Sequence, residues 1–99
     1  MTDVTQRIVN EIQAIPYGKV SCYGDIALKA GLPNGARSVV RVLHALSEKL
    51  KLPWYRVIRK DGSVAMPEGE GRELQIRLLQ SEGVSVSTSG IVDMRKFAV

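Results

Sequence analysis

Apolar residues recur at helical spacing from the start of the chain, where Val4, Ile8, Ile12 and Ile15 share one face. Asp3 stands before them with Gln6 three residues on, a capping-box-like start, so the pattern predicts a helix from about Val4 to Ala14. Pro16-Tyr17-Gly18 stops it, and Lys19-Val20-Ser21 gives a short extended connector. From Tyr23 to Leu32 a shorter helix is predicted, closed by Gly31 and followed by the turn Pro33-Asn34-Gly35. A third helix runs through about Leu46. It carries Val39, Leu43 and Leu46 on one face and Arg37, Arg41 and His44 on another. Two short helices joined by a tight Gly-containing turn are a helix-turn-helix pattern, in which the second helix is the one presented to DNA.

After a charged loop at Ser47–Lys51, the period changes. Leu52–Ile58 is a run of apolar and aromatic strand formers, closed by the turn signal Lys60-Asp61-Gly62. Ser63–Met66 then reads as a returning strand, which would make a small wing-like hairpin beside the helix-turn-helix. Pro67–Gly71 is a Gly-rich acidic loop. Glu73–Glu82 reads as the last helix, with Leu74 and Leu78 inward and Gly83 as its stop. The tail from Val84 to Val99 is Ser-rich, then apolar and basic, and is expected to pack back loosely. The fold class expected is α/β but mainly α: a winged-helix-like single domain over residues 1–99 with a helix-turn-helix and a small β-hairpin.

Length and composition narrow the function classes. A chain of 99 residues forms one domain with a modest core. The net charge of +4 suits a polyanionic partner without demanding one. One Cys makes no internal disulfide, and no Cys/His cluster has metal-ligand spacing, so neither metal nor cofactor is expected. No apolar stretch approaches a membrane span and no signal peptide is evident, which leads to the expectation of a soluble, cytoplasmic monomer. A Cys/His enzyme would have to unite Cys22 and His44, yet His44 projects from the basic face while Cys22 sits beside a helix start. Phosphate-binding loops and paired carboxylates are absent from the sequence, so the chain reads as a non-enzyme.

The centre of the chain sharpens this. Pro53-Trp54-Tyr55-Arg56-Val57 contains the only Trp and one of three Tyr. It resembles the Pro-Cys-His-Arg-Val motif of the alkylguanine-DNA alkyltransferases, with Trp54 where that family carries its nucleophilic Cys and Tyr55 where it carries His. A Trp at this place is the pattern of the alkyltransferase-like proteins, whose usual version reads Pro-Trp-His-Arg-Val, so Tyr55 is a departure even from them. Ala36-Arg37-Ser38-Val39 resembles the start of the family's recognition helix, and Arg37 stands 17 residues before Trp54, the spacing the family keeps between its Arg and its Cys.

The resemblance implies a C-terminal alkyltransferase domain that binds O6-alkylguanine in double-stranded DNA without transferring the alkyl group. Arg37 would enter the base stack from the minor groove and replace the extruded nucleotide. Tyr23 would crowd the target phosphate, and Ala36, Ser38, Val40, Arg41 and His44 would complete the DNA face. Val40 stands where the alkyltransferases have Gly, which puts the depth of groove entry at issue. Tyr23, Trp54, Tyr55 and Val57 would form the lesion pocket, with strand backbone near Val57 meeting the guanine edge. The Pro67–Gly71 loop holds the position of the segment that closes over the flipped base. Arg56 reads as structural. Glu82-Gly83 matches the Glu-Gly of the family's Cys-His-Glu relay, but with the His gone Glu82 reads as an exposed residue of a last helical turn. Handing the lesion on implies nucleotide excision repair proteins as partners. The alternative is a sequence-specific helix-turn-helix regulator, which would read bases in the major groove and ignore alkylation.

Overall fold

The computed structural model describes residues 1–99. Helix α1 (Asp3–Gln13) buries Ile8, Val9 and Ile12, and full burial of such a side chain stabilises by about 1.5–3 kcal/mol. Its cap is Thr2 rather than the expected Asp3: the Thr2 hydroxyl accepts the Thr5 N–H at 3.1 Å. Asp3 lies one residue inside, where a carboxylate complements the helix dipole, and pairs with Arg7 at 3.0 Å.

Helices α2 (Tyr23–Lys29) and α3 (Ala36–Leu50) form the expected helix-turn-helix. Gly31, at φ 85°, takes the left-handed conformation that ends α2, as Gly83 does after the last long helix. Together α1, α2 and α3 enclose one core, which includes Ile15, Val39, Val42 and Leu52. α3 is about one turn longer than the sequence suggested. Leu46 and Leu50 extend its apolar stripe onto that core, so residues 47–50 stay helical, and Lys51 closes the helix at φ 52°.

The central strand is much shorter than expected. Trp54–Arg56 is a 3₁₀ turn, and only β2 (Val57–Ile58) is extended. Pro53 has no N–H and a φ of −75°, which suits a turn rather than a ladder. β2 pairs in parallel with β1 (Ser21–Cys22), in the register Ser21 to Val57 and Cys22 to Ile58.

The β-hairpin expected from Leu52–Ile58 and Ser63–Met66 is therefore replaced by a two-stranded parallel sheet. The Asp61-Gly62 turn does form, with the Arg59 N–H donating to the Ser63 carbonyl at 2.9 Å. The returning residues then turn to the tail: Ser63 bridges Ile91, and the Val64 N–H donates to Gly90 O at 2.9 Å. The tail packs tightly, not loosely, because it fills a second core in which Val84, Val92 and Phe97 meet Val20, Ile58, Val64 and Leu79. Val20 bridges Ala98 just after the short helix α5 (Met94–Phe97).

Helix α4 (Glu70–Ser81) begins earlier than predicted and faces inward with Gln75 and Leu79. Leu74 is 42 % exposed and Leu78 only half-buried, so the inward stripe is turned by one residue from the expected one. The cause is polar: Gln75 is drawn inside by backbone partners described below. No helix is long and apolar enough to cross a membrane.

Candidate nucleic-acid interface

Arg37, Arg41 and His44 lie exposed along α3, and neither arginine is engaged in an ion pair. Ala36 and Ser38 are half-buried in the first turn, whose free N–H groups and the nearby Arg37 make that helix end electropositive. Val40 is 38 % exposed on the same helix. One continuous face thus offers cations without internal partners. That is what a phosphate backbone neutralises best.

Behind this face opens a cavity of about 560 Å³. Its walls come from Tyr23 at the start of α2, Val40 and Leu43 of α3, Trp54 and Val57 of the central motif, and Met66. His44, Glu48 and Lys51 supply charged or titratable groups along the α3 side, and Gln75 completes the lining from α4. Burial pushes the Tyr23 hydroxyl up, against the opposing pull of Arg59, so it stays a neutral donor at physiological pH.

Three of the four predicted pocket residues, Tyr23, Trp54 and Val57, thus share one cavity. Tyr55 does not line it. The Trp54 and Tyr55 rings meet edge to face, with centroids 5.9 Å apart and planes at 86°, and diverge from there. Two residues expected only on the DNA face, Val40 and His44, also line the cavity, whereas Arg37 does not.

The sequence reading missed Ser47, Glu48, Lys51, Met66 and Gln75. The signal for the α3 members is in the sequence: Val40, His44, Ser47 and Lys51 continue at i, i+4, i+7 and i+11, one side of a helix that runs on past the predicted end at Leu46.

On the far side of the 3₁₀ turn, Tyr55 and Arg56 close on Glu82. Its side chain is only 4 % exposed, which overturns the expectation of a solvated glutamate. Glu82 Oε2 accepts from the Tyr55 hydroxyl at 2.7 Å and Arg56 Nη2 at 2.6 Å. Oε1 accepts from Arg56 Nε and from the Gly18 N–H, both at 2.9 Å. The remaining guanidinium nitrogen, Nη1, donates to Ile15 O at 2.8 Å, just beyond the end of α1. Arg56 is structural, as expected, and the bidentate fork explains why no lysine would serve.

Burial pushes the Glu82 carboxyl up, but the donors from Arg56, Gly18 and Tyr55 together hold it below the usual carboxylate range. Burial and the bond to Glu82 raise the Tyr55 phenol, which remains protonated as a donor.

The profile described as the DNA binding domain of 6-O-methylguanine DNA methyltransferase matches residues 3–84. The DNA base-flipping protein of Escherichia coli K12 is 41 % identical over 92 residues, which cover 93 % of this chain and 70 % of that protein. Alkyltransferase-like protein 1 of Schizosaccharomyces pombe is 34 % identical over 87 residues, covering 87 % of this chain and 81 % of that one. The structure of that fission-yeast protein with damaged DNA containing O6-carboxymethylguanine superposes with a TM-score of 0.88 at 29 % identity, over 100 % of this chain and 96 % of the other. With a Trp in the place of the nucleophile, a helix-turn-helix in front of the cavity and these relatives, the chain belongs to the methyltransferase DNA-binding-domain family, within its alkyltransferase-like branch.

Proposed function

We propose that this protein binds double-stranded DNA through α3 and receives a flipped O6-alkylguanine in the cavity beside Trp54, without removing the alkyl group. The observation that carries the reading is the cavity itself. At about 560 Å³ it falls within the ~300–1,000 Å³ of ordinary small-molecule sites, and it opens beside the helix that bears unpaired arginines. A regulator reading bases in the major groove would have no use for it. The names of the relatives, base-flipping and alkyltransferase-like, and the complex of the fission-yeast protein with O6-carboxymethylguanine support the same function.

Arg37 takes the gap in the stack, Tyr23 turns the target phosphate, and Ala36, Ser38, Arg41 and His44 track the strand. Val40 stands at the cavity mouth between groove and pocket. Extrusion costs a few kcal/mol of stacking and pairing, less at a damaged pair, and the inserted Arg37 with the pocket contacts offsets it. Trp54 forms an apolar wall for the alkyl group. Its indole offers no nucleophile, and Cys22 is buried in β1, outside the cavity lining. The protein acts as a monomer, and the held lesion is passed to nucleotide excision repair proteins.

Matched duplexes with and without O6-methylguanine test this, with the methyl group labelled. Preference for the lesion across unrelated flanking sequences, with no label on the protein, is the expected result. Equal binding to both duplexes, or selection of one undamaged sequence, overturns it, as does stoichiometric label on the protein.

A further inference from the structure

We propose that Gln75 is a positioning residue of the lesion pocket, fixing the backbone beneath Trp54 and the Met66 wall in one arrangement; this rests on the lesion-binding reading above. Gln75 is 1 % exposed, and with Ser21 it is one of two polar residues buried backbone and side chain together. A buried amide is costly unless its bonds are made. Here one nitrogen, Nε2, donates to Tyr55 O at 3.2 Å and Val57 O at 3.1 Å, while Oε1 accepts the Met66 N–H at 3.2 Å. With two carbonyls on one side and an N–H on the other, the amide fits in one orientation only.

These three bonds join two segments that chain connectivity links only through the 59–63 turn. Both segments line the cavity, as Gln75 does. Met66 is also seated from behind: a Cβ at Gly71 would stand 2.6 Å from its terminal methyl, so the first turn of α4 leaves room for that side chain. A base edge entering beside Val57 therefore meets carbonyls already oriented, and an alkyl group meets a wall already in place. Preorganisation of this kind raises selectivity by removing the cost of ordering on binding.

The test compares lesion and undamaged duplexes at about pH 8 and pH 5.5. Gln75→Leu removes all three bonds and should lower the lesion preference about tenfold at both values. Gln75→Glu presents a carboxylate to two carbonyls at pH 8 and should lose preference there. Its buried carboxyl titrates high, so at pH 5.5 the protonated acid again donates to a carbonyl while its other oxygen accepts from Met66 N, and preference returns. Tyr23, His44, Glu48 and Lys51 face the same cavity, and Arg56 and Glu82 lie across the turn. The unsubstituted protein at both pH values, expected to hold its preference, controls for them.

Melting temperatures separate loss of fold from loss of selectivity. If neither variant folds, hydrogen exchange on the unsubstituted protein decides: saturating lesion duplex should slow the Met66 amide and undamaged duplex should not. Folded variants that keep their preference within about twofold at both pH values overturn the role of Gln75 while leaving lesion binding intact, and so does a Met66 amide that lesion DNA does not slow. A protein with no lesion preference at all overturns the underlying reading instead.

Discussion

The central motif sends its side chains two ways, and the two sides of the 3₁₀ turn follow opposite rules. Toward α3, Trp54 and Val57 line an open cavity beside arginines that have no internal partner. Toward α4, Tyr55 and Arg56 saturate one buried carboxylate with donors. Four consecutive residues thus divide between a surface left unsatisfied and a cluster satisfied completely. A position that resembles a catalytic relay in sequence serves here as a tie between the two cores. The relay's carboxylate keeps an O–H donor in Tyr55, but its partner on the pocket side is an indole.

Breaking the closed side should have the largest effect. Glu82→Gln leaves the Arg56 guanidinium, 14 % exposed, without its counter-charge, and should cost about 3–5 kcal/mol of stability by urea unfolding. Stability should also fall in acid. The folded Glu82 carboxyl titrates below its unfolded counterpart, so its contribution is complete above about pH 4.3 and is lost as pH falls through the lower folded value. A variant as stable as the parent, with the same acid profile, would dissolve the contrast.

Trp54→Ala probes the open side. It should cost less than the ~3–5 kcal/mol of a fully buried aromatic, because the ring is half-buried, while lesion preference changes. Indole emission should shift when lesion duplex saturates the protein. An unfolded variant together with an unmoved spectrum would return Trp54 to the core.

Arg37→Ala should weaken lesion binding by about 1–3 kcal/mol with the melting temperature unchanged, as expected of an inserted side chain. Arg41→Ala should do less. It should lower affinity for damaged and undamaged duplex alike and reduce the salt slope by about one. Equal losses from the two arginines would reduce α3 to an electrostatic footing.

The helix-turn-helix was legible because α1–α3 announce themselves by periodicity, by Gly31 and by Pro33-Asn34-Gly35. Trp54 and Val57 of the central motif and Tyr23 at the start of α2 do line one cavity, as their resemblance to family positions led one to expect, whereas Tyr55 does not. What escaped depends on distant partners. β1 and β2 have two residues each and pair across 36 positions, so no alternation marks them. Gln75 and Glu82 are polar residues that local pattern assigns to solvent, and only partners distant in sequence draw them in: backbone groups for Gln75, and the Tyr55 and Arg56 side chains with the Gly18 N–H for Glu82. Leu74 and Leu78 looked inward for the same reason: hydrophobicity was the only local guide.

The short connector between α1 and α2 is bonded to three separate later parts of the chain. Ser21 meets Val57, the Gly18 N–H meets Glu82, the Tyr17 hydroxyl meets Ser81 O, and Val20 meets Phe97 and Ala98. The order of folding follows. The three N-terminal helices close through local contacts and form fast, but the peptide between the first two is tied in full only once residues near Val57, Glu82 and Phe97 have all folded back on it. Hydrogen exchange should therefore find the Gly18 and Val20 amides opening as one cooperative unit with the C-terminal segment, not with the helices that flank them; opening in step with α1 would show that the clasp belongs to the N-terminal half alone.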